Sequence, residues 1–297
     1  MPPDQDASFF NAAPDLKSRA GALGKALVYL LVAFISAVAV SALLKAATGQ
    51  NLRALLQAGL SGALIAHAAL FTALAVVPTL LCLGLWKEPF SVSGWSPRRA
   101  PVLAAAGVAA GAGLMGLIVL VLWVLHAWSG ALAVSPARIG ELLLLSALLW
   151  TLQAAHEEAL HRGYAFARLS RAVSFWPAAA LLSLWFAAGH LGQPGATPLS
   201  LAMAGVLALI LAWSFLRTGS LWFALGFHAS WNFAQSTVFG LANSGGESKL
   251  SVFRSTLAGP ELLTGGSAGP EGSLLSLAAA VLLILTIRFV LPRLAPA

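Results

Sequence analysis

Long apolar runs separated by short polar clusters dominate the chain. Eight stand out: Ala26–Leu44, Ala58–Leu85, Val102–Trp128, Leu142–Phe166, Trp176–Leu191, Leu199–Leu216, Leu221–Phe239 and Leu274–Leu291. About 20 apolar residues cross a bilayer as an α-helix. Each run therefore predicts a transmembrane helix, and together they predict an all-α polytopic membrane protein of eight spans. Runs longer than a bilayer requires are expected to tilt or to continue as interfacial helix. The third run carries Gly107, Gly111, Gly113 and Gly116, a small-residue spacing that lets helices approach closely. The spans show no inverted repeat of the transporter type.

Composition removes the soluble alternative. Hydrophobic residues make up 59% and charged residues 9%, against roughly 45–50% and 25% in soluble domains. The charges lie between the apolar runs, so the positive-inside rule can be applied. Arg162 belongs to a polar motif within the fourth run and is set aside. Of the other 16 basic residues, Lys45, Arg53, Arg138, Lys249 and Arg254 fall on one side and 11 on the other. That bias predicts both termini in the cytoplasm and a multi-pass protein of the plasma (inner) membrane. The net charge of +7 is dispersed among loops, which suits topology and anionic lipid and excludes a nucleic-acid footprint. A single cysteine, Cys82, excludes an intramolecular disulfide and a cysteine-based metal site. The first run follows Lys17, Arg19 and Lys25 without a clear cleavage site and reads as a retained anchor.

Five segments follow from the polar clusters. Residues 1–20, with Pro2, Pro3, Asp4 and Asp6, read as a flexible cytoplasmic tail. Residues 21–139 hold the first three helices, 140–240 the next four, 241–272 a glycine-rich connection and 273–297 the last helix. The loop 87–101 contains three prolines and Trp95, which suits an interfacial anchor. The connection at 240–272 is expected to be a mobile outer loop, with a lid over a site as the alternative.

The chemistry concentrates in three spans. Glu157, Glu158 and Arg162 lie in the fourth, where a carboxylate at mid-bilayer costs roughly 2.5–3.5 kcal/mol on insertion scales. Residues four apart on a helix share a face. That spacing pairs Glu158 with Arg162, as an ion pair in which each offsets the other's desolvation. Glu157 stacks above His161 and is left to face a cavity. His156 and His161 are five apart, so they miss the His-Glu-x-x-His pattern of zinc proteases and read as lining or supporting groups. His190 follows Phe186 in the fifth span. It lies about as far beyond the turn at Val173–Ser174 as Glu157 lies before it, which puts both some 24 Å up their helices. In the seventh span His228 and Asn232 share a face, with His228, measured from Ser220, about two turns lower than His190. Acid, imidazoles and amide together suggest hydrolysis within the membrane.

Glu-Glu-x-x-x-Arg, Phe-x-x-x-His and His-x-x-x-Asn, in this order in successive spans, resemble the signature of the CPBP intramembrane proteases. These include the CAAX proteases, the bacteriocin-processing enzymes and the type II CAAX prenyl endopeptidases. The resemblance covers roughly residues 140–240. It implies hydrolysis of a peptide bond in a membrane-associated protein or peptide, in a cavity within the bilayer. Glu157 would activate water with His190 and His228 beside it, and Asn232, alone or with His228, would stabilise the oxyanion. Glu158, Arg162 and His161 would support them. One glutamate and two histidines, Glu157, His190 and His228, would also satisfy a catalytic zinc; the residues leave open whether a metal takes part. The alternative is a non-catalytic immunity or scaffold protein of the same fold, which has no need of His190, His228 and Asn232 together.

Overall fold

The computed structural model describes residues 15–246 and 250–291. The first 14 residues of the expected tail lie outside them, and the chain is helical from Leu16. Helix α1 (Leu16–Thr48) is capped by Asp15, whose carboxylate accepts the Ser18 amide. A short α2 (Leu52–Gln57) leads into α3 (Gly59–Phe71), a π-helical turn at Thr72–Val76 and α4 (Val77–Trp86). The π turn has a local cause. Pro78 cannot donate to the carbonyl four residues back, and the Leu74 carbonyl instead accepts the Tyr29 hydroxyl at 3.1 Å.

Helix α5 (Ala100–Val124) is followed by strand β1 (Trp128–Leu132), α6 (Pro136–Arg162), α7 (Tyr164–Val173), α8 (Phe175–Ala188), α9 (Pro198–Thr218) and α10 (Trp222–Asn232). The last continues as a π-helical turn to Val238. Strand β2 (Phe253–Leu257), the single turn α11 (Glu261–Thr264) and α12 (Leu274–Leu285), extended by a π turn to Val290, complete the chain. Every predicted apolar run falls on one of these helices. Among the described residues, five helical stretches are long and apolar enough to cross a membrane: Leu16–Thr48, Gly59–Trp86, Ala100–Val124, Pro136–Val173 and Pro198–Thr218. Phe175–Ala188 and Leu274–Val290 are apolar but shorter.

The chain is mostly helical, as expected, with two local departures. Strands β1 and β2 pair antiparallel, Trp128 opposite Leu257 and Leu132 opposite Phe253, and the Trp128 indole donates to the Ser255 hydroxyl at 2.8 Å. The segment expected to be a mobile outer loop thus carries a strand, a helical turn and two 3₁₀ turns. The fourth predicted run also breaks early. A Cβ on Gly163 would lie 2.3 Å from the Ala159 carbonyl oxygen, so only glycine permits the turn from α6 into α7.

The core that holds α10 is built on backbone contact. A Cβ on Gly107 or Gly111 would lie 2.2–2.3 Å from the Phe223 or Phe227 carbonyl, and one on Gly226 would meet the Ala104 carbonyl at 2.3 Å. The Ser230 hydroxyl adds a bond to the Val108 carbonyl at 3.1 Å. Gly113 and Gly116 meet nothing, so half of the glycine series makes the interface. Trp95 sits edge-on to Trp222 at 5.3 Å, and the Trp222 indole donates to the Ser96 carbonyl at 2.9 Å. The 87–101 loop therefore holds the start of α10.

At the same end of the bundle Glu88 ties α1 to α7. It accepts from Lys25 Nζ at 2.5 Å and the Tyr164 hydroxyl at 2.7 Å, with Arg168 3.4 Å away. Tyr164 stacks between Tyr29 and Trp86. Burial would raise the Glu88 carboxyl, but these donors and charges outweigh it and hold it below the usual carboxylate range. Glu88 therefore stabilises the fold at neutral pH, and that contribution is lost as pH falls below about 4. Thermal unfolding should show Glu88→Gln less stable than wild type by about 1–3 kcal/mol at pH 7, and the difference should close as the buffer is taken below the carboxylate range.

Candidate active site

The last two turns of α6 present three faces. Glu158, fully buried, accepts from Arg162 at 2.6 Å and from His228 Nδ1 at 2.8 Å, both on Oε1. A carboxylate can only accept, so Nδ1 of His228 carries the proton. Arg162, 3% exposed, also donates from Nε to the Ala208 carbonyl on α9 at 3.3 Å and lies over the Phe186 ring of α8. One ion pair thus binds α6 to α8, α9 and α10.

Glu157 faces elsewhere. Its Oε1 accepts from Gln153 Nε2 at 2.5 Å. Its Oε2 is buried without a hydrogen-bond partner and stands 3.5 Å from His228 Nε2. That nitrogen is the one His228 does not spend on Glu158. At this separation one water about 2.8 Å from each could touch both.

Glu157, His190, His228 and Asn232 line one cavity of about 90 Å³, together with Arg162 and Gln153. Four of the residues expected from the motifs are thus brought together. His190 lies just past the end of α8, and its Nδ1 donates to the Phe186 carbonyl at 2.8 Å. That leaves Nε2 for the cavity. Asn232, 6% exposed, donates to Gln153 Oε1 at 2.9 Å. The two-turn offset of His228 expected from Ser220 is absent, since its Nε2 stands 3.5 Å from Glu157 Oε2 and His190 lines the same cavity.

Two histidines point away. His161 Nδ1 donates to the Glu157 backbone carbonyl at 2.9 Å, and its ring packs on Trp185 and Phe186. His156 stacks on His67 of α3, with Nε2 and Nδ1 3.3 Å apart. No periodic pattern joins those two. The motifs also left out Gln153, although its position four before Glu157 was a readable signal. Asn243, Ser244 and Glu271 of the 240–272 segment line the cavity as well, and no local pattern announced them. Glu271 accepts the Ser244 amide, and burial pushes its carboxyl above the usual range.

A catalytic zinc needs three protein donors converging on one point. Glu157 and His228 approach each other, but among the described residues no group of three or more His, Cys, Asp or Glu side chains is arranged to hold an ion. The described residues as placed do not make a zinc site.

The fold and site define an integral membrane protein of bundled helices with a polar cavity in its interior. Residues 139–234 match the family model described as type II CAAX prenyl endopeptidase Rce1-like, which supports a likeness to the CAAX proteases over that part of the chain. No curated protein and no solved structure matches the chain.

Removing one partner of a buried ion pair costs about 3–5 kcal/mol. Glu158→Gln and Arg162→Ala should therefore lower the yield of folded protein in detergent, measured by size-exclusion chromatography. Replacing both with apolar residues of similar volume should recover part of it.

Proposed function

We propose that the protein is an intramembrane endopeptidase that hydrolyses a peptide bond of a membrane-associated protein or peptide, CAAX-type or related. One observation carries this reading. Of two adjacent buried glutamates, Glu158 holds Arg162 and His228 through Oε1 and does not line the cavity, while Glu157 does line it and keeps Oε2 there without a hydrogen-bond partner.

Glu157 Oε2 takes a proton from a water held between it and His228, and the water oxygen attacks the scissile carbonyl. The proton passes from Glu157 to the departing amine. His190, anchored through Nδ1, offers Nε2 to the same space and can give or take that proton. Asn232, with His228 beside it, meets the oxyanion; a fixed donor of this kind contributes about 2.7–4 kcal/mol. Arg162 and Glu158 hold α6 and α10 in register, and His161 braces the end of α6 against α8. The core is residues 140–240, and the 241–272 segment covers the cavity. An immunity or scaffold protein has no need for a free carboxylate, two imidazoles and an amide on one cavity.

The charge bias supports eight crossings, with α8, α10 and α12 completing the five longer spans, and both termini in the cytoplasm of a plasma membrane. A reporter fused after Ala297 should be active only on the cytoplasmic side; activity outside would reverse the topology.

Glu157→Gln keeps shape and removes the base. It should fold with wild-type thermal stability and lose cleavage of a fluorogenic peptide ending in a farnesylated CAAX sequence by at least about 100-fold. Turnover by folded Glu157→Gln would give the role to another group. Exhaustive chelation should leave wild-type turnover intact. Loss of activity together with near-stoichiometric zinc would bring a metal into the mechanism.

A further inference from the structure

Gln153 belongs to none of the three motifs, yet it touches two of their residues. Its Nε2 donates to Glu157 Oε1, and its Oε1 accepts from Asn232 Nδ2. A carboxamide has one donating end and one accepting end, so this chain of bonds has a direction. A carboxylate only accepts, which fixes the Gln153 amide nitrogen toward Glu157. The Gln153 carbonyl then faces Asn232 and fixes that amide with its nitrogen inward. Reversing Gln153 would set its carbonyl against the carboxylate and its NH₂ against another NH₂.

Resting on the endopeptidase reading, we propose that Gln153 is a positioning residue that assigns both the reactive oxygen of Glu157 and the orientation of Asn232. It occupies Oε1, so proton transfer is left to Oε2, the oxygen that has no partner. It also uses one proton of Asn232 Nδ2 and leaves the other for the substrate oxygen. An Asn232 turned the other way would present a carbonyl to the oxyanion and repel it. A purely structural cross-link between α6 and α10 would be redundant, because Glu158–His228 and the bond from the Trp150 indole to Thr237 at 3.0 Å already join that face. Gln153 variants should accordingly fold.

The test uses purified full-length protein and the farnesylated fluorogenic peptide. Gln153→Leu removes both bonds. Gln153→Glu keeps the acceptor for Asn232 but sets a second carboxylate against Glu157. Both should reduce kcat by roughly 10–100-fold, as misplaced catalytic groups do, with KM within about twofold and thermal stability little changed. Wild-type kcat in both folded variants, or a change in stability alone, would overturn the assignment. If the wild type did not cleave the peptide, the functional reading would fail for that substrate. The relay would still be read from dicyclohexylcarbodiimide labelling of Glu157 by mass spectrometry. Freed of its Gln153 bond, Glu157 should label several-fold faster in Gln153→Leu, and an unchanged rate would refute the relay.

Discussion

A carboxylate placed inside an apolar bundle has to find its counter-charge there, and at Glu158 that requirement organises four helices. The carboxylate takes Arg162 from its own helix and His228 from α10. The guanidinium reaches on to the Ala208 carbonyl of α9 and the Phe186 ring of α8. Stranding either charge would cost several kcal/mol, a large share of the stability a fold has to spare. The elements that carry the site are therefore joined by the same pair that keeps the second glutamate unavailable. The consequence for chemistry is a division of roles: Glu158 holds its partners and does not line the cavity, while Glu157 lines the cavity with its Oε2 unpartnered.

This arrangement needs helices that approach closely and stop abruptly. Gly107, Gly111 and Gly226 let the backbones of α5 and α10 touch, which puts His228 and Asn232 against α6. Gly163 ends α6 one residue after Arg162 and sends α7 along α1, where Glu88, Lys25 and Tyr164 secure it. Small residues thus set positions that the polar groups then use.

What could be read in the sequence follows from how local each cause is. Apolar helices are announced by composition alone, so the eight runs fall on helices, of which five stretches among the described residues are long enough to cross a membrane. The Glu158–Arg162 pair is a four-residue relation within one helix, and the three motifs identify Glu157, His190, His228 and Asn232. The β1–β2 ribbon escaped because its strands are short and lie far apart; Trp128 and Ser255 are 127 positions from one another. His67 with His156, and Glu271 with Ser244, are likewise tertiary pairings with no periodic trace. The level of His228 is not legible from a count of rise, because turns such as Val173–Ser174 and Ser220 need not lie at one depth. Gln153 lay within reach of the four-residue rule, but an amide in an apolar helix carries little weight until its partners are known.

The central claim is that the oxygen left free at Glu157 hydrolyses peptide bonds in membrane proteins. Its most direct test compares peptide termini across the membrane proteome of cells expressing the wild type with those expressing Glu157→Gln at equal folded levels. New C-terminal peptides from membrane-associated proteins should appear with the wild type and be absent with the variant. Identical termini in the two membranes would contradict the account.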